Sequence, residues 1–71
     1  MKITSTKQAK EVLKVGMYIN AMTDYERKVL AVNENEVECI DVAYNEDTQD
    51  YEEVGKSYFC TYTDFVGSYI E

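Results

Sequence analysis

Histidine and proline are missing from this 71-residue chain, and cysteine and glycine are scarce. Without histidine no imidazole can activate a serine or cysteine nucleophile. Metal binding through Cys39 and Cys60 is disfavoured too, since they form no C-x-x-C unit and no histidine completes a set. Neither cysteine has a basic neighbour in sequence to lower its pKa. Two cysteines are also too few for a small secreted disulfide scaffold, which usually carries four or more. They read as reduced, half-buried thiols in strands. A single disulfide is open to them only if two strands bring them together. Gly16, Gly55 and Gly67 stand apart, so no phosphate-binding loop is present. With no proline, repeat or linker, residues 1–71 read as a single domain.

Charge of one sign is missing from a long stretch. Between Lys28 and Lys56 there is no basic residue, yet residues 34–53 hold Glu34, Glu36, Glu38, Asp41, Glu46, Asp47, Asp50, Glu52 and Glu53. Six of the seven Lys and Arg residues lie in positions 1–28, and the formal net charge is -7. This balance disfavours direct DNA or RNA binding, which needs an excess of Lys and Arg against phosphates. A membrane-surface role is disfavoured by the same sign. No apolar run has the length of a transmembrane helix. Lys2, Lys7 and Lys10 interrupt any signal-peptide core after Met1. The expected location is therefore a cytosol, that of a host if the chain is phage-encoded.

What is present is a 45% apolar composition, too high for disorder, and seven tyrosines. A chain this short buries only roughly 60% of the surface its unfolded form exposes. Tyrosine, an apolar body with a polar tip, suits both a thin-walled core and an interface. Tyr58, Tyr62 and Tyr69 are expected in the core. Tyr25, Tyr44 and Tyr51 lie beside turns or acids and are the better interface candidates. Completion of so small a core by a homodimer is a further expectation.

Residues 4–14 are predicted as one short helix. Ser5 and Gln8 form a capping box, and Ala9, Val12 and Leu13 make an apolar stripe. Lys10 and Lys14 suit its C-terminal end, and Gly16 stops it. Two to three turns need a sheet to pack on.

From Met17 the period changes to two. Met17, Ile19 and Ala21 share one face of a first strand, and Thr23-Asp24-Tyr25 turns the chain. Residues 26–32 make a second strand with Leu30 and Val32 on one face. Asn33-Glu34-Asn35 is a tight hairpin connection, because Asn tolerates the left-handed conformation. In the third strand, 36–44, Val37 and Cys39 share one parity, whereas Ile40, Val42 and Tyr44 share that of Glu36 and Glu38. Apolar residues thus switch faces at 39–41, as a β-bulge or sharp bend requires. After a polar loop at 45–50, residues 51–54 make a short strand and Gly55 turns the chain. Tyr58 to Thr63 is a strand with Tyr58, Cys60 and Tyr62 on one face. Asp64 caps one helical turn through Phe65, and Tyr69-Ile70 ends the sheet.

The predicted fold is mainly β (α+β): a small, strongly bent barrel of about five short antiparallel strands at 17–70, preceded by the helix. Leu13-Lys14-Val15-Gly16-Met17-Tyr18-Ile19, then Arg27-Lys28-Val29-Leu30-Ala31-Val32, then Val37, resembles the opening of SH3-like barrels, where Val-Gly-Asp-x-Val starts the first strand. The chain is also similar to short bacteriophage proteins that close such a barrel with a Thr-Asp-Phe-like turn and a Tyr-x-Ile-like strand. Thr63-Asp64-Phe65 and Tyr69-Ile70 take those parts. The resemblance covers about two thirds of the chain. Met17 stands where the pattern has Asp, and the extra glycines of the KOW type are missing, so ribosomal or nucleic-acid roles do not transfer.

Chemistry is sparse. Carboxylate pairs could do acid–base work, but a small barrel offers little room for a cleft, so no enzyme is expected. Asn45, Asp47 and Gln49 have the 1-3-5 spacing of an EF-hand, but Asp50 stands where Gly is needed and Lys56 where Glu is needed. Asp47, Asp50, Glu52 and Glu53 could make only a loose divalent site, so no metal or cofactor is expected. A sharper reading of the acids is phosphate mimicry. Glu34, Glu36 and Glu38 on one strand face would stand about 7 Å apart, close to the spacing of phosphates along a nucleic-acid strand. Acidic phage-encoded inhibitors of restriction and CRISPR systems work in this manner, and the chain resembles them in size and charge.

Three roles follow. The first is a non-enzymatic inhibitor or adaptor that binds a host protein, such as a nucleic-acid-binding enzyme. Its contacts would come from Glu34, Glu36, Glu38, Asp41, Tyr44, Asp47, Asp50, Tyr51, Glu52 and Glu53. The second is an oligomeric small-molecule or nucleotide sponge, with Lys14, Arg27, Lys28 and Tyr25 lining a basic pocket. The third is a structural accessory that fills an assembly interface.

Overall fold

The computed structural model describes residues 1–20 and 25–71. The expectations placed on Ala21, Thr23 and Asp24 lie outside the described residues. Helix α1 spans Thr6–Val12. Strands follow at Tyr18–Asn20 (β1), Glu26–Val32 (β2), Glu36–Asn45 (β3) and Asp50–Thr61 (β4). A 3-10 turn at Tyr62–Phe65 leads to β5, Tyr69–Ile70. The five strands are antiparallel in one sheet, ordered β4-β3-β2-β1-β5. The chain is thus mainly β with one short N-terminal helix. β4 and β5 are the two edges, so the sheet is not closed, although its course is compatible with an SH3-like barrel.

The helix is shorter than predicted. Ser5 Oγ accepts from Gln8 N at 3.1 Å, but Gln8 Oε1 reaches back to Thr4 N at 2.7 Å, one residue beyond the reciprocal box. Leu13 is already extended, so Gly16 does not end the helix. With φ +93° it sits third in the turn closed by Met17 N donating to the Lys14 carbonyl at 3.2 Å, a place that favours glycine. The turn brings Gly16 and Met17 against Val29, with two backbone hydrogen bonds of 2.9 Å.

Side-chain parity in β2 also differs from the prediction. Val29 is fully buried, while Val32 is 39% exposed and Leu30 half-buried. The register moves between Val29 and Ala31 while β3 advances by one residue, which makes Leu30 the extra residue of a bulge. The Asn33 turn closes through Asn33 N to the Glu36 carbonyl, 2.9 Å. Asn33 and Asn35 do not use the left-handed region; Gln49, φ 56°, is the non-glycine residue that does so among the described residues.

The face switch in β3 is real. Cys39 and Ile40 are both buried, and Val42 follows. β3 itself pairs regularly with β2 through this stretch. The irregularity lies in β4, where four steps from Val54 to Tyr58 oppose two from Asp41 to Cys39. Gly55, φ +77°, therefore does not turn the chain between two strands but takes up the slack inside one long strand. β4 ends at Thr61 rather than Thr63, and Asp64 Oδ2 accepts from Thr61 N at 2.9 Å to fasten the 3-10 turn.

The main core lies between α1, the 3-10 turn and one sheet face. Ile3, Ala9, Leu13, Ile19, Val29, Val37, Cys39, Cys60, Tyr62 and Phe65 form it, with Tyr58 half-buried beside it. Ile3 enters it because the N-terminal chain hydrogen-bonds to Gly67 and Ser68 at 2.8 Å. Tyr69, expected inside, is 41% exposed. Ile40 and Val42 are buried outside this cluster. Their cross-strand partners, Lys28 and Glu26, place them on the opposite face of the sheet.

Candidate functional site

Directly paired residues of antiparallel strands share a face. The register therefore assigns each expected site residue. One face, opposite the helix, carries Tyr18, Glu26, Lys28, Glu36, Glu38, Ile40, Val42, Tyr44, Tyr51, Glu53 and Phe59. The helix-side face carries Arg27, Asp41, Glu52 and Asp50. Glu34 stands in the turn before β3, and Asp47 in the turn at 46–49. The acidic residues thus occupy both faces and both ends of the β3–β4 hairpin. Asp50 and Glu52 point away from Glu53, because successive strand residues alternate. Among the described residues, no group of three or more such side chains gathers to hold a metal ion.

The hairpin tip runs past the last β2 pair, Glu26 with Val42, and so overhangs the sheet. Asn45 shapes it: its Oδ1 accepts from Asp47 N at 2.9 Å, and its Nδ2 donates to Glu52 Oε1 at 2.8 Å. Asp50 Oδ1 accepts from Tyr51 N at 2.8 Å. Asp47, Asp50, Glu52 and Glu53 are all exposed, and Tyr44 beside them is 53% exposed.

Tyr51 closes what the backbone leaves open. Its ring stacks on Tyr18 with centroids 4.3 Å apart, and Tyr44 meets it edge-on at 5.3 Å. β1 and β4 are three strand spacings apart, about 14 Å in a flat sheet. The sheet must therefore curl toward this face, over Ile40 and Val42. The Tyr51 hydroxyl donates to Glu71 Oε2 at 3.2 Å, tying β4 to the end of β5. Burial, with the Glu26 and Glu71 carboxylates, pushes this phenol up to about 12. The Glu26 carboxyl is raised above its ordinary value, first by a hydrogen bond with Glu71 and then by burial, against an opposing hydrogen bond with Tyr51. Its Oε2 is buried without a hydrogen-bond partner. The neighbouring Glu71 carboxylate thus favours the protonated form of Glu26.

Asp41 is structural in setting. It is half-buried and accepts from the Tyr58 hydroxyl. Glu38 is also half-buried, and Ser57 Oγ donates to its Oε2 at 2.9 Å. Lys14, Arg27 and Lys28 do not converge. Arg27 lies with its guanidinium 5.5 Å from the Phe65 ring centre, and Lys28 points to the other face, 5.9 Å from Tyr18. Lys14 and Tyr25 are exposed, Lys14 in the turn ahead of β1.

The thiols of Cys39 and Cys60 are free and 3.9 Å apart in the core. Burial, then Cys60, pushes the Cys39 thiol up to about 12, which leaves it unreactive.

Sequence reasoning missed Phe59, Glu26 and Glu71. Phe59 was legible: it has the opposite parity to Tyr58, Cys60 and Tyr62, so it had to stand on the non-core face. It is 59% exposed. Glu26 and Glu71 gave no local signal, since only the curl brings them together.

No protein-family model, curated protein or solved structure matches this chain. Among the described residues, no helix is long and apolar enough to cross a membrane.

Proposed function

We propose that the protein is a non-enzymatic acidic interaction module that binds a basic surface of a host protein. One observation carries this reading: the acids sit on the paired strands and tight turns of a single hairpin, so they present fixed charges rather than a mobile tail. The Asn33 turn and the 46–49 turn lie at opposite ends of β3, about 30 Å apart at the rise of an extended strand. A rigid acidic rod of this kind suits the basic channel of a nucleic-acid enzyme, with carboxylates in place of phosphates. An inhibitor or adaptor of phage or mobile-element origin, of the anti-defence type, is the role that fits such a surface. A pull-down from bacterial lysate at rising salt tests it. Retention of a partner should fall steeply with salt and be lost on charge reversal at Glu36, Glu38 and Asp50. A partner retained regardless of both contradicts the reading.

A further inference from the structure

The chain's own cations repeatedly sit over aromatic rings. Lys2 lies 5.9 Å from the Tyr69 centroid, Lys10 5.6 Å from Tyr62, Arg27 5.5 Å from Phe65 and Lys28 5.9 Å from Tyr18. Phe59 is the most exposed aromatic side chain of the described residues, at 59%, and none of these cations covers it. It pairs directly with Glu38, with Glu36 two residues further along the same face of β3. Cross-strand neighbours of this kind stand roughly 5 Å apart, and diagonal ones about 7–8 Å. The Glu38 carboxylate is fixed by Ser57 at 2.9 Å. β4 is a sheet edge, so one side of the ring is open to an approaching chain.

We infer that Phe59, Glu36 and Glu38 form a docking surface for an arginine-bearing segment of the partner. A guanidinium stacked on the Phe59 ring can reach a carboxylate at the ring's side, and its planar fork matches that geometry where an ammonium does not. Charge complementarity argues for this occupant: the charged side chains flanking the ring on β3 are both acidic, and Lys28, the cation that shares their face beside Ile40, is directed over Tyr18 instead. A rigid aromatic with two rotatable bonds beside a pinned carboxylate is ordered before binding, which lowers the entropic cost. The inference rests on the acidic-module reading and names the spot where that module would be most selective.

Amide shifts followed during titration with blocked Gly-Arg-Gly-Arg-Gly-Arg-Gly, and with its lysine counterpart of equal charge, test it. The arginine peptide should bind roughly two- to fivefold tighter. Shifts should centre on Glu36, Glu38, Phe59 and Thr61. Phe59→Ala should bring the two peptides to equal affinity. Phe59→Leu should do the same while keeping apolar area, which guards against a general packing effect. Both variants should keep the wild-type spectrum elsewhere. Equal affinities in the wild type, no binding of either peptide, or shifts confined to residues 45–53 would overturn the inference. So would a self-association that Phe59→Ala abolishes, because a second copy would then be the occupant. Salt-sensitive capture of a partner that ignores Phe59→Ala leaves the acidic module standing and removes this site. Capture insensitive to salt removes the module, while an arginine preference that depends on Phe59 stands by itself.

Discussion

Glu26 holds a local electrostatic conflict. Its carboxyl meets that of Glu71 under the Tyr51 hydroxyl, and one of its oxygens is buried without a partner. A proton on Glu26 resolves the conflict by supplying a donor. Because the folded protein raises this carboxyl, its favourable contribution is complete below the ordinary value of 4.5 and is lost as pH rises through the raised value. Lys28, Glu53 and Tyr44 share the face, and Tyr18 and Tyr51 close over it. Glu26→Gln keeps a donor at every pH. It should therefore be more stable than wild type at pH 7, with the difference shrinking toward pH 4, in urea unfolding monitored across that range. A constant difference, or one that grows in acid, would contradict a protonated Glu26.

At the scale of elements, the β3–β4 hairpin matters most. Its alternation was partly legible. Val37, Cys39, Ile40 and Val42 read correctly as a face switch, and Tyr58 and Cys60 as one parity, whereas Tyr62 reaches the core from the 3-10 turn. The single strand through Gly55 was not legible, because an isolated glycine between apolar runs marks a turn or a bulge equally well. Leu30 misled for a similar reason: a bulge exchanges the parity of every residue after it, and no local signal marks one. Gly55 makes the β4 irregularity testable. A Cβ there meets nothing within 4 Å, so the cost of a side chain comes from the backbone, held at φ +77°. Gly55→Ala should lose about 1–2 kcal/mol in chemical denaturation. Gly55→Asn should lose less, since Asn enters the left-handed region more readily. Equal stability of all three proteins would argue against this backbone.

Across the whole molecule, charge and shape act together. The chain has extents of 37 × 22 × 17 Å, with a net charge of -7 whose acids concentrate on one hairpin. Self-repulsion of that kind is screened over a Debye length of about 10 Å at 0.1 M salt. The melting temperature should accordingly rise between about 10 mM and 0.3 M sodium chloride, most steeply at the low end. A charge-reversed hairpin tip, Asp47→Lys with Asp50→Lys, should flatten that dependence. A melting temperature that falls with salt would mean that attractive pairs dominate instead.

Composition alone limited the molecule to an acidic, histidine-free domain, and periodicity alone gave a short helix followed by strands, because both are local properties of the chain. Which face is covered was decided by tertiary structure. The curl that stacks Tyr51 on Tyr18 buries Ile40 and Val42, makes Glu26 and Glu71 neighbours, and leaves Phe59 uncovered beside Glu38. Those outcomes join residues distant in sequence, and alternation says only that two residues share a side, not what lies over it.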